Sequence, residues 1–250
     1  MITGYFKDQP VLNNISLNIS AGEVWTLLGR NGCGKSTLIK SILGFIKPFN
    51  GTINIHGVDQ RKYSIRELAK NIAYVSQDYY LNCDYTVMEY VMLGRAPYIA
   101  PYSSPGYNDR LIVMKCINEL NLQTMKDVPI NRLSGGERQI AVIARALAQE
   151  TDIVILDEPT SALDLSNQIL LLKTIKKVSQ SGKTVIYSSH NPNHAIALNS
   201  KICFLLNGCV YKTGYSKDLI SNDTINDVYG DGISVTYQNN IPYCKFDLSL

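Results

Sequence analysis

An α/β fold with a largely parallel sheet and an inserted helical lobe is predicted by three observations. Short apolar runs of strand length alternate with stretches of helical spacing. Several of those runs end in a polar residue or a glycine, as strands do at the working edge of such a sheet. From about 86 to 149 the alternation gives way to helix alone, and that block is the insertion.

The elements follow in order. EVWTLLG (23–29) is a buried strand entering glycines, and STLIKSILGF continues it as a helix. GTINIHG (51–57) alternates like a strand with one wet face, and IAYVSQ (72–77) is another strand. TVMEYVMLGR and YNDRLIVMKCINELNL are helical, separated by the Pro/Gly/Ser break APYIAPYSSPG. In 131–148, NRLSGGERQIAVIARALA, apolar residues at 140, 143, 144 and 147 give a helix one buried face. IVILDE (153–158) and TVIYSSH (184–190) are strands flanking the helix LSNQILLLKTIKKVSQ (165–180). KICFLLNGCVYKTG (201–214) is a hairpin turning at Asn207-Gly208.

Composition limits the function. The 250 residues can bury a real core, with hydrophobic content of 45% and charged content of 18%. A net charge of +3 is too mild for a nucleic-acid footprint. Tyrosines crowd 74–107, but Arg95 is the only Lys or Arg among them, so base stacking on a basic strip is not expected; part of the cluster is core and part interface. The six cysteines form no CxxC pair and read as reduced thiols. No stretch approaches the ~20 apolar residues of a membrane span, and MITGYFKDQPVLNN lacks the apolar run of a signal peptide. The expectation is a cytoplasmic protein that meets the membrane only through a partner.

Gly29-Arg30-Asn31-Gly32-Cys33-Gly34-Lys35-Ser36 fits G-x-x-x-x-G-K-[ST]. Its glycines let backbone N–H groups curl around a phosphate at the positive end of the next helix. Lys35 would reach the outer phosphates and the Ser36 hydroxyl would ligate Mg²⁺. Asp157-Glu158 end an apolar strand where ligands bind in parallel sheets; Asp157 would hold Mg²⁺ and Glu158 would act as general base on water. Gln77 could orient water or Mg²⁺, and His190 could hydrogen-bond a γ-phosphate. A metal reading of HNPNH (190–194) is disfavoured, because Pro192 interrupts the helix its histidine spacing needs. Ser134 and Glu137 form a capping box that leaves Gly135-Gly136 unexplained, since glycines in a first turn cost helix propensity. They would allow something to approach closely.

As an ordered set, LLGRNGCGKST, YVSQD, LSGGERQ, IVILDEPTSALD and SSH resemble the ATP-binding cassette (ABC) family. The resemblance implies a P-loop NTPase: a RecA-like core with a mainly parallel sheet, an antiparallel β subdomain and an inserted α-helical subdomain. The core and β subdomain would take 1–77 and 150–250, and the helical subdomain, carrying the signature, about 78–149. Gly29, Asn31, Gly32, Cys33, Gly34, Lys35, Ser36 and Thr37 would hold ATP, with Tyr5 stacked on adenine. The signature residues Ser134, Gly135 and Gly136 would touch the γ-phosphate of ATP held by a second copy of the chain, with Asp164 at the same interface. Lys35, Gln77, Glu158 and His190 would be catalytic, and Ser36, Gln77 and Asp157 would hold Mg²⁺.

Finer stretches, VMLGRAPY (91–98), GGERQIAVIARALAQE and DEPTSALDLSNQ, resemble prokaryotic importers of the iron-siderophore, haem and cobalamin type, with molybdate relatives. That resemblance implies transmembrane permease subunits as partners, a periplasmic or extracellular binding protein in the full system, and a place on the inner face of the membrane. No regulatory extension of ~100 residues is expected. Three departures stand out: only four residues precede Tyr5, Asn191 follows the histidine where aspartate is common, and Cys33 lies inside the loop. The rival readings are a soluble assembly factor and a nucleic-acid-associated ATPase of the same superfamily.

Overall fold

The computed structural model describes residues 1–5, 9–77, 84–161 and 163–247. They belong to two units, Met1–Lys62 with Thr184–Leu250, and Tyr63–Lys183.

Strand β1 (Val24–Leu28) is apolar enough to be covered on both faces, and it runs through the glycine loop into α1 (Lys35–Ile42). The stretch expected as one alternating strand is shorter: β2 (Asn54–Ile55) turns at His56-Gly57 into β3 (Val58–Asp59). Both turn residues have positive φ, which suits a two-residue hairpin and ends the strand. Helix α2 (Ile65–Asn71), capped by Ser64 and Glu67, escaped the sequence reading; it leads directly into β4 (Ile72–Val75).

Thr86 and Glu89 cap α3 (Val87–Met92), and α4 (Tyr107–Glu119) follows the Pro/Gly/Ser break. Helix α5 (Gly135–Ala148) begins at Ser134, β5 (Ile153–Leu156) comes next, and Asp164 caps α6 (Leu165–Gln180). Strand β6 (Thr184–Ser189) is buried throughout and precedes α7 (Pro192–Leu198). β7 (Lys201–Leu206) and β8 (Cys209–Tyr215) form the expected hairpin at Asn207-Gly208. Beyond it lie α8 (Ser216–Leu219), α9 (Asn222–Tyr229) and a hairpin of β9 (Ile233–Gln238) and β10 (Ile241–Phe246).

In the first unit β1 lies between β6 and β7, parallel to both, and β8 closes the edge antiparallel. In the second unit β4 and β5 run parallel, with Val75 level with Leu156. Two parallel ladders with one antiparallel hairpin strand agree with the mainly parallel α/β expectation. Ahead of β1, Ile2 pairs with Asn50 and Thr3 with Leu12 as isolated bridges.

The first unit's core joins Leu28, Ile202 and Phe204 of the sheet to Ala195, Ile225, Val228 and Val235. In the second unit Val87, Val91, Val113, Ile117, Ile140 and Ile143 are buried on α3, α4 and α5. Each such side chain contributes about 2 kcal/mol when fully buried. Of the tyrosine cluster, Tyr90 is core, whereas Tyr85, Tyr98, Tyr102 and Tyr107 are exposed. Tyr79 and Tyr80 lie outside the described residues.

Candidate active site

The glycine loop sits between β1 and α1. Helix α1 starts at Gly34 in the left-handed region, φ 108°, with no side-chain cap and no acid in its first turn. A side chain at Gly34 would also meet Leu12, so conformation and space both require glycine there. Lys35 is buried and donates through Nζ to Gly29 O at 2.9 Å and Arg30 O at 3.3 Å. The ammonium is therefore folded back onto the loop whose phosphate it is suited to meet.

Asn31 and Gly32 are exposed at the loop's tip, Ser36 is half-buried and Thr37 is buried. Cys33 is buried, and its Sγ lies 2.7 Å from the position a Cβ on Gly29 would take. The thiol is turned inward, so Cys33 can serve a ligand through its backbone rather than its sulfur.

Tyr5 is exposed on the segment whose flanks, Thr3 and Leu12, are bridged. Leu12 lies against Gly34, and Asn13 N–H donates to Gly208 O at 2.8 Å while Gly208 N–H donates to Cys33 O at 3.2 Å, so Leu12 and Asn13 are tied to the loop. His190 is exposed just past β6. Pro192 is the first residue of α7, which leaves His190 before the helix and His194 within it. His194 is buried with Nδ1 2.8 Å from Tyr187 Oη and 3.2 Å from Ser189 Oγ. Burial, and then the nearby His190, pushes its pKa below the usual histidine value.

In the second unit, Gln77 is exposed two residues past β4, and Asp157-Glu158 follow β5, so all three lie at one edge of the parallel pair. Asp157 is buried and its N–H donates to Val75 O at 2.9 Å. Glu158 is nearly buried and has φ 45°, a left-handed conformation that costs a non-glycine residue energy. Its carbonyl accepts from Ser161 N–H at 3.2 Å and Ser161 Oγ at 3.1 Å, which holds that turn.

Ser134 and Glu137 form the expected reciprocal cap: Ser134 N–H donates to Glu137 Oε2 at 2.9 Å, and Glu137 N–H to Ser134 Oγ at 3.3 Å. Ser134 Oγ also donates to Glu137 Oε2 at 2.7 Å, and these bonds lower the Glu137 pKa. The two glycines behind it differ. A Cβ on Gly136 would lie 2.9 Å from Asn167 Nδ2 on α6, whereas one on Gly135 would meet nothing within 4 Å. Gly136 thus serves packing within the chain; Gly135 leaves open space. Asp164 is exposed at the start of α6 and accepts from Asn167 N–H at 2.8 Å. Asn167 therefore joins the signature turn to the Asp164 turn, a role absent from the sequence reading.

A family model described as ABC transporter matches residues 12–161. The iron(3+)-hydroxamate import ATP-binding protein of Bacillus subtilis is 32% identical over 247 residues, covering 97% of this chain and 92% of that one. A solved metal-chelate type ABC transporter, in an inward-facing conformation, is similar at 28% identity and a TM-score of 0.83, covering 98% of this chain and 94% of that one. An ATP-binding cassette solved as a dimer in a post-hydrolysis state with ADP and phosphate is 30% identical with a TM-score of 0.74, covering 86% of this chain and 95% of that one.

Proposed function

Because the chain belongs to the ABC transporter family as an ATP-binding subunit and ATPase, we propose that it energises import of a metal chelate, or of an oxyanion, through a membrane permease. The observation that carries the nucleotide part is the start of α1. Gly34 gives it no side-chain cap, no acidic residue lies in its first turn, and the Lys35 ammonium lies on the adjoining loop. A polyphosphate fits that set of donors. Gly29, Asn31, Gly32, Cys33, Gly34, Lys35, Ser36 and Thr37 would hold ATP, with adenine against Tyr5. Ser36, Asp157 and Gln77 offer the hard oxygen donors that suit Mg²⁺, which when bound would neutralise phosphate charge.

Glu158 takes a proton from the attacking water, and His190 donates a hydrogen bond to the γ-phosphate. The open side of Gly135, with exposed Ser134 and Asp164 beside it, suits a γ-phosphate brought by a second copy. A dimer so bridged would tie nucleotide state to the separation of the copies, which a permease can use. Residues 78–149 are taken as the helical subdomain that meets the permease. Among the described residues no helix is long and apolar enough to cross a membrane, so crossing falls to that partner. The iron(3+)-hydroxamate import relative and the metal-chelate type transporter favour a chelate as cargo.

The test is Glu158→Gln with ATP and Mg²⁺. The reading expects a stable dimer with bound ATP and co-purification of a multi-span membrane protein; a monomer at saturating ATP would refute the bridged dimer.

A further inference from the structure

The C-terminal hairpin is absent from the catalytic reading, yet it is tied to the segment carrying His190. Asn193, the second residue of α7, accepts from Cys244 N–H through Oδ1 at 2.9 Å and donates through Nδ2 to Cys244 O at 3.0 Å. A side-chain amide presents a donor and an acceptor side by side, so Asn193 replaces a neighbouring strand at the outer edge of β10. Cys244 is level with Val235 on β9, and Val235 N–H donates to Asn222 Oδ1 at 2.6 Å. One rung of the hairpin is thus held by an asparagine from each side, one on α7 and the other on α9.

Only the first of these leads toward His190. Asn193 N–H donates to Asn191 Oδ1 at 3.0 Å, and Asn191 N–H donates to Ser189 Oγ at 3.0 Å. With Asn191 Oδ1 so used, its Nδ2 faces His194 Nε2 at 3.4 Å, while His194 Nδ1 lies against Ser189 and Tyr187. Both residues flanking His190 are therefore fixed by side-chain bonds, while His190 itself is exposed. Ala195 of the same helix and Leu28, the residue before the glycine loop, share a core with Val235 and Cys244. The hairpin underlies both catalytic segments of this unit.

We propose that Asn193 is a positioning residue, anchoring α7 to the C-terminal hairpin so that His190 is presented in a fixed place. The proposal rests on the reading of His190 as the group that meets the γ-phosphate. Asn193→Asp keeps the shape but sets a carboxylate oxygen against Cys244 O, losing the donor. Asn222→Ala removes the acceptor of Val235 N–H on the opposite edge of the same rung and serves as the structural comparison.

The test is steady-state ATP hydrolysis by the full chain, with its permease where that is needed for turnover, alongside thermal melting. Asn193→Asp is expected to lower kcat by about tenfold or more with KM for ATP within about twofold, because misplacing a group costs turnover more than binding. Asn222→Ala is expected to keep kcat within about twofold at a similar loss of melting temperature. Normal kcat in Asn193→Asp, or an equal loss in both variants, would overturn the proposal. If Asn193→Asp does not fold, Asn193→Ala is judged by the same two criteria. His190→Ala separates the failures: inactive His190→Ala beside active Asn193→Asp rejects the anchor alone, whereas active His190→Ala rejects the histidine assignment and the anchor with it.

Discussion

Helices α1 and α5 both begin from a glycine turn, and they treat their first N–H groups in opposite ways. At α1 the residue before the helix is Gly34, with no side chain to accept a hydrogen bond, and a buried lysine folds onto the loop. At α5 the cap is complete, because Ser134 and Glu137 satisfy one another. The first start has no side-chain cap and suits an outside anion, and the second is capped from within. What α5 adds is access: Gly135 faces open space while Gly136 is packed on Asn167. The comparison teaches that glycine next to a helix start can supply donors, packing or approach, and that the neighbours decide which.

The widest break between the two starts comes from removing charge or base. Lys35→Ala should abolish tight ATP binding, whereas Glu158→Gln should keep binding and lose about 100-fold or more in hydrolysis, as loss of a general base does. Nucleotide-binding isotherms beside turnover separate the two. An Ala at Gly135 should lower hydrolysis by about tenfold through crowding the approach, yet leave the fold as stable or up to about 1 kcal/mol more stable from helix propensity. An Ala at Gly136 should gain less stability or lose some, because Asn167 must move; paired melting curves check this.

Ser134→Ala removes the cap and should cost about 1 kcal/mol of stability, read by denaturant titration. The smallest effect is a pH dependence. Glu137 has a lowered folded pKa, so its contribution is complete above the unfolded value and is lost as pH falls through the folded one. Glu137→Gln should flatten that acid slope in melting temperature; an unchanged slope would contradict the assignment.

Much of this was legible because periodicity and ordered motifs are local. The strand runs, the helix at 165–180, the hairpin turn at Asn207-Gly208 and the Ser134–Glu137 cap all came from neighbours in sequence. What escaped depended on distant partners. The Asn193 to Cys244 pair spans 51 residues, and the buried Cys33 thiol lies near Cys203 of β7. Gly136 and Asn167 likewise meet only once α5 and α6 are packed. The strand predicted at 51–57 was shortened by the positive φ of His56 and Gly57, where the pattern of apolar residues carried no sign of a turn.

In the proposed function the two helix starts complete one another across two copies of the chain. The direct measurement is ATP hydrolysis by mixed dimers carrying Lys35→Ala on one copy and Ser134→Trp on the other. A site built across copies retains one intact pairing, so the mixture should hydrolyse ATP above either parent homodimer. If each site were built within one copy, both would be damaged, and activity no higher than the parents' would contradict the account.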